Sequence, residues 1–318
     1  MAFFVWKCSY LWTTLILVNN ILSQETAPSP PRNLQLRVVS STSIEASWDE
    51  PETKNGNIRH YAVSYGKNRL DSHLYTTETK YLLTSLDENT LYSVQVTAET
   101  SVSGNPSGTK QATTLEDAPS SDPVIKKGRE GTKAEDAHTI RVVWEEIPQK
   151  DQNGVIIGYS VFYNEKGQSE YFSENATASQ TSALIGGLKP FTIYCIKIAG
   201  YTKVGRSPLR DPCHEVKTLQ KGPSHPRDVM LRAKSSTSIL VSWKEPALKN
   251  GIITNYIISY GQEKHDQETE AQVTGSTFQR LLTDLRKFTT YYIKVRGKTT
   301  ELGNASRLLN ATTFEDRK

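Results

Sequence analysis

SIEASWDEPETKNGNIRHYAVSY, residues 43–65, decides the fold of this chain. Ile44, Ala46 and Trp48 alternate with polar residues; Pro51 and Asn55-Gly56 follow, and Tyr61, Val63 and Tyr65 then alternate again. Period two is the mark of a strand with one buried face. The stretch returns as TIRVVWEEIPQKDQNGVIIGYSVFY at 139–163 and as SILVSWKEPALKNGIITNYIISY at 238–260. Trp48, Trp144 and Trp243 are thus 96 and 99 residues apart, a period that predicts an array of small domains, each with its own core.

A third alternating set lies further along each repeat: Tyr92, Val94, Val96; Tyr194, Ile196, Ile198; Tyr291, Ile293, Val295. The residues between them, Ser93, Gln95 and Thr97 in the first repeat and Lys294 and Arg296 in the third, are expected to face solvent. Asn55-Gly56, Asn153-Gly154 and Asn250-Gly251 supply backbone positions that tolerate positive φ and so separate the strands. No sustained helical period follows the first two dozen residues, so helices should be nearly absent. The expected fold is all-β, one antiparallel sandwich per repeat. The most specific run is Leu86-x-x-x-Thr90-x-Tyr92, repeated at Leu188, Thr192, Tyr194 and at Leu285, Thr289, Tyr291. A tyrosine there, with its hydroxyl returning to backbone just upstream, is the tyrosine corner of Greek-key sandwiches.

Taken together, Pro30-Pro31-x-Asn33-Leu34, the Trp48 strand, Asn55-Gly56-x-Ile58-x-x-Tyr61, the corner and Thr113-Thr114 resemble a fibronectin type III domain. The resemblance recurs in the second and third repeats. It implies three tandem seven-stranded sandwiches, over 28–115, 119–219 and 223–314, with no catalytic apparatus and roles in adhesion, receptor ectodomains or extracellular scaffolding. Repeats one and three are near-siblings: Ser40-Ser41-Thr42-Ser43-Ile44 returns as Ser235-Ser236-Thr237-Ser238-Ile239, and Lys54-Asn55-Gly56 as Lys249-Asn250-Gly251. The middle repeat departs from both.

The 318 residues leave room for this array, and 23% charged with 36% hydrophobic residues is a globular composition. A net charge of +4 gives no case for nucleic acid. Lys7 followed by the apolar run Leu11 to Val18 reads as a secretory signal over 1–23, cut after Ser23. The run is too short to span a bilayer comfortably. A secreted, extracellular protein is expected, without stable membrane insertion. Cys8 leaves with the signal, so Cys195 and Cys213 remain for one bridge. Their midpoint falls in the turn around Val204, which places them opposite each other across a hairpin; free thiols or an intermolecular link are the alternatives.

The search for chemistry is empty. His60, His73, His138, His214, His225 and His265 are scattered, and no nucleophile elbow, phosphate-cradling loop or Cys-x-x-Cys is present. Neither an enzyme nor a cofactor is expected. Asn175, Asn304 and Asn310 open glycosylation sequons, Asn304 in the turn between the last two strands of the third repeat. Lys126, Lys127, Arg129 and Lys133 form a basic run able to meet a sulfated polysaccharide. Arg-Gly-Asp is missing, and Arg296-Gly297 is followed by Lys298 inside a strand. The reading is a secreted, non-catalytic glycoprotein that binds an extracellular protein through loops and strand edges. The alternative is a soluble form of an adhesion or receptor tyrosine phosphatase-like ectodomain acting as a decoy.

Overall fold

The computed structural model describes residues 26–263 and 269–315; the leader read over 1–23 lies outside them. In the first repeat the strands are β1 Arg32–Ser40, β2 Ser43–Asp49, β3 His60–Gly66, β4 Ser72–Thr76, β5 Lys80–Leu83, β6 Leu91–Glu99, β7 Ser103–Pro106 and β8 Lys110–Thr113. One sheet has the order β1-β2-β5; the other is β4-β3-β6, with β7 and β8 both on the far edge of β6. Every pairing is antiparallel. Since β7 and β8 are two halves of one broken strand, seven strand positions form two sheets.

The middle repeat contains β9 Val124–Ile125, β10 Lys133–Ala134, β11 Ile140–Glu145, β12 Gly158–Glu165, β13 Phe172–Thr177, β14 Ser182–Ile185, β15 Ile193–Tyr201 and β16 His214–Lys217. Here the break falls in the first strand, whose halves β9 and β10 both pair with β11. The third repeat restores the first pattern with β17 Arg227–Ser235, β18 Ser238–Lys244, β19 Asn255–Gly261, β20 Thr269–Thr274, β21 Gln279–Leu282, β22 Thr290–Lys298, β23 Leu302–Ala305 and β24 Leu309–Thr312. Among the described residues the one helical element is a 3-10 turn, Gln149–Asp151.

Each repeat buries its own cluster. Ile44, Ala46 and Trp48 meet Val63, Val94 and Val96; Ile140, Val142 and Trp144 meet Val161 and Ile196; Ile239, Val241 and Trp243 meet Ile258, Ile293 and Val295. Each tryptophan packs on the tyrosine that follows the Asn-Gly, with ring centroids 5.4, 5.5 and 5.3 Å apart for Tyr61, Tyr159 and Tyr256. Burial raises these three phenols, and a glutamate two residues beyond each tryptophan (Glu50, Glu146, Glu245) adds to the effect. Tyr256 is pushed up to about 12. They therefore stay neutral inside the core.

The corners repeat with the same geometry. The hydroxyls of Tyr92, Tyr194 and Tyr291 accept the backbone N–H of Asp87, Lys189 and Arg286 at 3.0, 2.9 and 2.9 Å. A threonine closes each one: Thr114, Thr218 and Thr313 donate to the carbonyls of the same three residues at 2.7 Å. Their hydroxyls also accept the N–H of Thr90, Thr192 and Thr289. The final threonine of each Thr-Thr or Lys-Thr ending is thus a buried pin across the end of the sandwich.

Candidate interaction surface

Inward positions are nearly identical in the three repeats, so their differences are carried on outward faces. The central strand that follows the tyrosine corner presents Ser93, Gln95, Thr97 and Glu99 in β6, Cys195, Lys197 and Tyr201 in β15, and Tyr292, Lys294, Arg296 and Lys298 in β22. In the first repeat this face carries His60 paired with Glu99 at 2.7 Å, and Tyr75, 63% exposed, meets the His60 ring edge-on at 5.1 Å. His73 Nδ1 lies 2.9 Å from Ser64 Oγ.

The middle face is built differently. Cross-strand register places Phe162 beside Lys197 and Ser173. Lys197 Nζ stands 5.7 Å from the Tyr171 ring centre, and Arg206 covers Phe162 at 6.0 Å. Tyr171 Oη is 3.6 Å from Cys195 Sγ. Cys195 is bonded to Cys213, with Cα atoms 5.5 Å apart. The two are offset rather than directly opposite, since Cys195 pairs with Glu215 in the ladder and Cys213 precedes β16. The sequence expectation of a symmetric hairpin fails because the return strand bulges. Between the bridges Tyr201–Arg206 and Ile196–His214, β15 steps back five residues while the returning chain advances eight.

That bulge is tied down on both sides. Lys197 Nζ binds Asp211 Oδ1 at 2.6 Å, and the Asp211 carboxylate holds the ammonium above its ordinary value. The lysine side chain is only 14% exposed against 84% for its partner, so it lies flat beneath the bulge. Arg210 reaches Asp122 at 3.3 Å and the Ser120 carbonyl at 3.2 Å. Beside it His214, half-buried in a cleft also lined by Lys127, Asp122 and Arg210, is held below its ordinary value by burial and by the Lys127 charge.

Asn175, Asn304 and Asn310 are all exposed. Asn175 sits on the edge strand β13 of the middle face and accepts a hydrogen bond from Ser160 Oγ at 2.6 Å. Asn304 is in β23, not in the turn, because a tight turn closed by Thr299 N–H on the Glu301 carbonyl lets the last strand begin at Leu302. Lys126, Lys127, Arg129 and Lys133 surround an exposed loop between β9 and β10 that also holds Glu130. Lys126 is 3.8 Å from Glu145, and Lys133 Nζ donates to the Arg129 carbonyl, so the run is partly countered. Arg296-Gly297 lies inside β22, and a Cβ on Gly297 would meet Pro223 Cγ at 2.9 Å.

The Asn-Gly turns do more than reverse the chain. Asn55, Asn153 and Asn250 hold φ of 50, 54 and 53°, and each side-chain amide donates to an incoming carbonyl: Ala27, Ala118 and Gly222 at 2.8, 3.0 and 3.0 Å. Thr202 and Thr299 grip the preceding carbonyls, Asp117 and Lys221, at 2.9 and 2.8 Å. No sequence signal separated this clamp from an ordinary turn.

Among the described residues no group of three or more His, Cys, Asp or Glu is arranged to hold a metal. Nor is any described helix long and apolar enough to cross a membrane.

Two packed antiparallel sheets with a tyrosine corner define a Greek-key sandwich of the immunoglobulin-like class. The fibronectin type III domain profile matches residues 29–113, 131–216 and 224–312. The chain belongs to the fibronectin type III family, whose domains are non-catalytic modules. It is 31% identical over 309 residues to the phosphatidylinositol phosphatase PTPRQ of Rattus norvegicus, covering 94% of this chain and 13% of that protein. Protein sidekick-2 of Mus musculus is 30% identical (89% and 14%), and the cell adhesion molecule DSCAM of Gallus gallus 28% (91% and 15%). The chain therefore spans about one seventh of these relatives' length. The crystal structure of chicken CNTN1 FN1–FN3 domains is similar with a TM-score of 0.46 and 20% identity, covering 91% of this chain and all of that one.

Proposed function

We propose that this is a secreted, non-catalytic adhesion-type protein that recognises an extracellular protein through the outer face and loops of its middle repeat. One observation carries this reading. Phe162, Tyr171, Lys197 and Arg206 are set on a sheet face that is braced by the Cys195–Cys213 bridge, which neither sibling repeat has. Rigid aromatic and arginine side chains are the residues that dominate protein interfaces. The adhesion molecules among its relatives support the partner class. N-glycans on Asn175, Asn304 and Asn310 and a sulfated polysaccharide as a second ligand belong to the same reading.

Secretion is tested by expressing the full chain with a C-terminal tag in a mammalian secretory line. Tagged protein should accumulate in the medium with Gln24 as its first residue. Tagged protein retained in the membrane fraction with Met1 intact would contradict it. A longer transcript continuing past Asp316 into a membrane span would favour the decoy reading of a receptor ectodomain.

A further inference from the structure

The third repeat carries the chain's charge. Residues 223–314 hold 13 Lys and Arg against 8 Asp and Glu, whereas 28–115 hold 8 against 9 and 119–219 hold 13 against 12. Part of that excess is laid out in a straight row. Ile293 and Val295 are fully buried, so Lys294, Arg296 and Lys298 all point outward from β22. Alternate residues on a strand are about 6.6–6.8 Å apart, so the three cations span about 13 Å. Their neighbours across the sheet are Ser259 and Glu270 beside Lys294, Ile257 and Ala305 beside Arg296, and Asn255 and Leu302 beside Lys298. Among the described cross-strand neighbours of the row, Glu270 is acidic. The Nε of Arg296 is buried at the sheet surface.

We infer that this face is a docking row for a linear sulfated polysaccharide. The strand is central, with its backbone paired on one side to β19 and on the other to β23 and β24, so no peptide can add to it as a further strand. It offers side-chain charge alone, evenly spaced on a flat face, which suits a regular polyanion held by counterion release. The basic loop Lys126, Lys127, Arg129 and Lys133 fits less well, because Glu130 and Glu145 interrupt it. The inference extends the proposed extracellular reading, but it is tested on purified protein and does not depend on secretion.

The first repeat supplies the test variant. Its residues at the three positions are Gln95, Thr97 and Glu99 in the same fold, so Lys294→Gln, Arg296→Thr and Lys298→Glu together should fold. Binding of size-defined heparin to the full mature chain, with N-glycans trimmed, is measured across a salt series. The triple variant should lose affinity by roughly tenfold or more, and the slope of log affinity against log salt should fall by about 2–3. A second variant, with Lys126, Lys127, Arg129 and Lys133 changed to serine, should stay within about twofold of the parent. If the triple variant fails to fold, the single Lys298→Glu exchange at the exposed strand end should still lower both quantities. A parent that does not bind heparin, a triple variant that binds like the parent, or a loss confined to the loop variant would each overturn the assignment.

Discussion

Trp144→Ala should lower the stability of the middle repeat by about 3–5 kcal/mol and leave the other two repeats unchanged. The indole is fully buried against Tyr159, Val142, Val161 and Ile196. Burying a tryptophan removes about 150–250 Å² from water, an upper bound of order 4–6 kcal/mol at about 25 cal/mol per Å². Truncation also leaves a cavity between two sheets that cannot both close on it. Trp48→Ala and Trp243→Ala should do the same to the first and third repeats, whose tryptophans sit in equivalent clusters. Since a single domain has a marginal stability of about 5–15 kcal/mol, such a loss leaves the repeat partly or wholly unfolded. Denaturant unfolding of the intact chain should resolve one shifted transition per variant. Superimposable curves for parent and variant would remove the tryptophans from the core.

The second large effect is the loss of the bridge. Cys195 and Cys213 are 18 residues apart, and closing a loop of that length constrains the unfolded chain by about 3 kcal/mol in the chain-entropy model. The Cys195→Ser, Cys213→Ser double variant should lower the middle repeat's stability by about that much and release the bulge bearing Asp211. Lys197 then loses the carboxylate that holds it flat. Mass spectrometry of unreduced protein should find no free thiol on either residue. Two alkylated cysteines without prior reduction would show the bridge to be absent.

Much of the architecture was legible because the core repeats in the sequence. Alternation in Ile44-Ala46-Trp48 and Tyr92-Val94-Val96 could be read as strands with one wet face, and the spacing Leu86-Thr90-Tyr92 fixed the corner. Legibility ended where geometry depends on contacts between distant segments. The loop after Ser207 is long, but length alone does not say that it bulges and offsets Cys213 from Cys195. The left-handed backbone at Phe191 and Phe288, φ 52 and 48°, is unexpected for a bulky residue. It is held by N–H bonds to the carbonyls of Leu219 and Phe314, more than twenty residues away. The linker clamp hid inside Asn-Gly, whose turn propensity explains it fully until the partner carbonyl is seen.

The candidate surface was the least legible part. Phe162, Tyr171, Lys197 and Arg206 come from separate segments of the middle repeat and share no motif. Register sets Phe162 beside Lys197, and the side-chain contacts of Tyr171 and Arg206 complete the face. Lys294, Arg296 and Lys298 were readable as solvent-facing, but their significance needed the contrast with Gln95, Thr97 and Glu99 on an otherwise equivalent strand. The fold is a property shared by the three repeats, whereas the proposed recognition resides in what each places on the far side of that fold.

That claim is tested most directly by one screen. The mature chain is passed over an array of cell-surface and secreted ectodomains beside a variant carrying Phe162→Ser, Tyr171→Ser and Arg206→Ser, all outward-facing substitutions. At least one partner should be bound by the parent and lost by the variant, with the unfolding curve of the middle repeat retained. A partner captured equally by both proteins would contradict it.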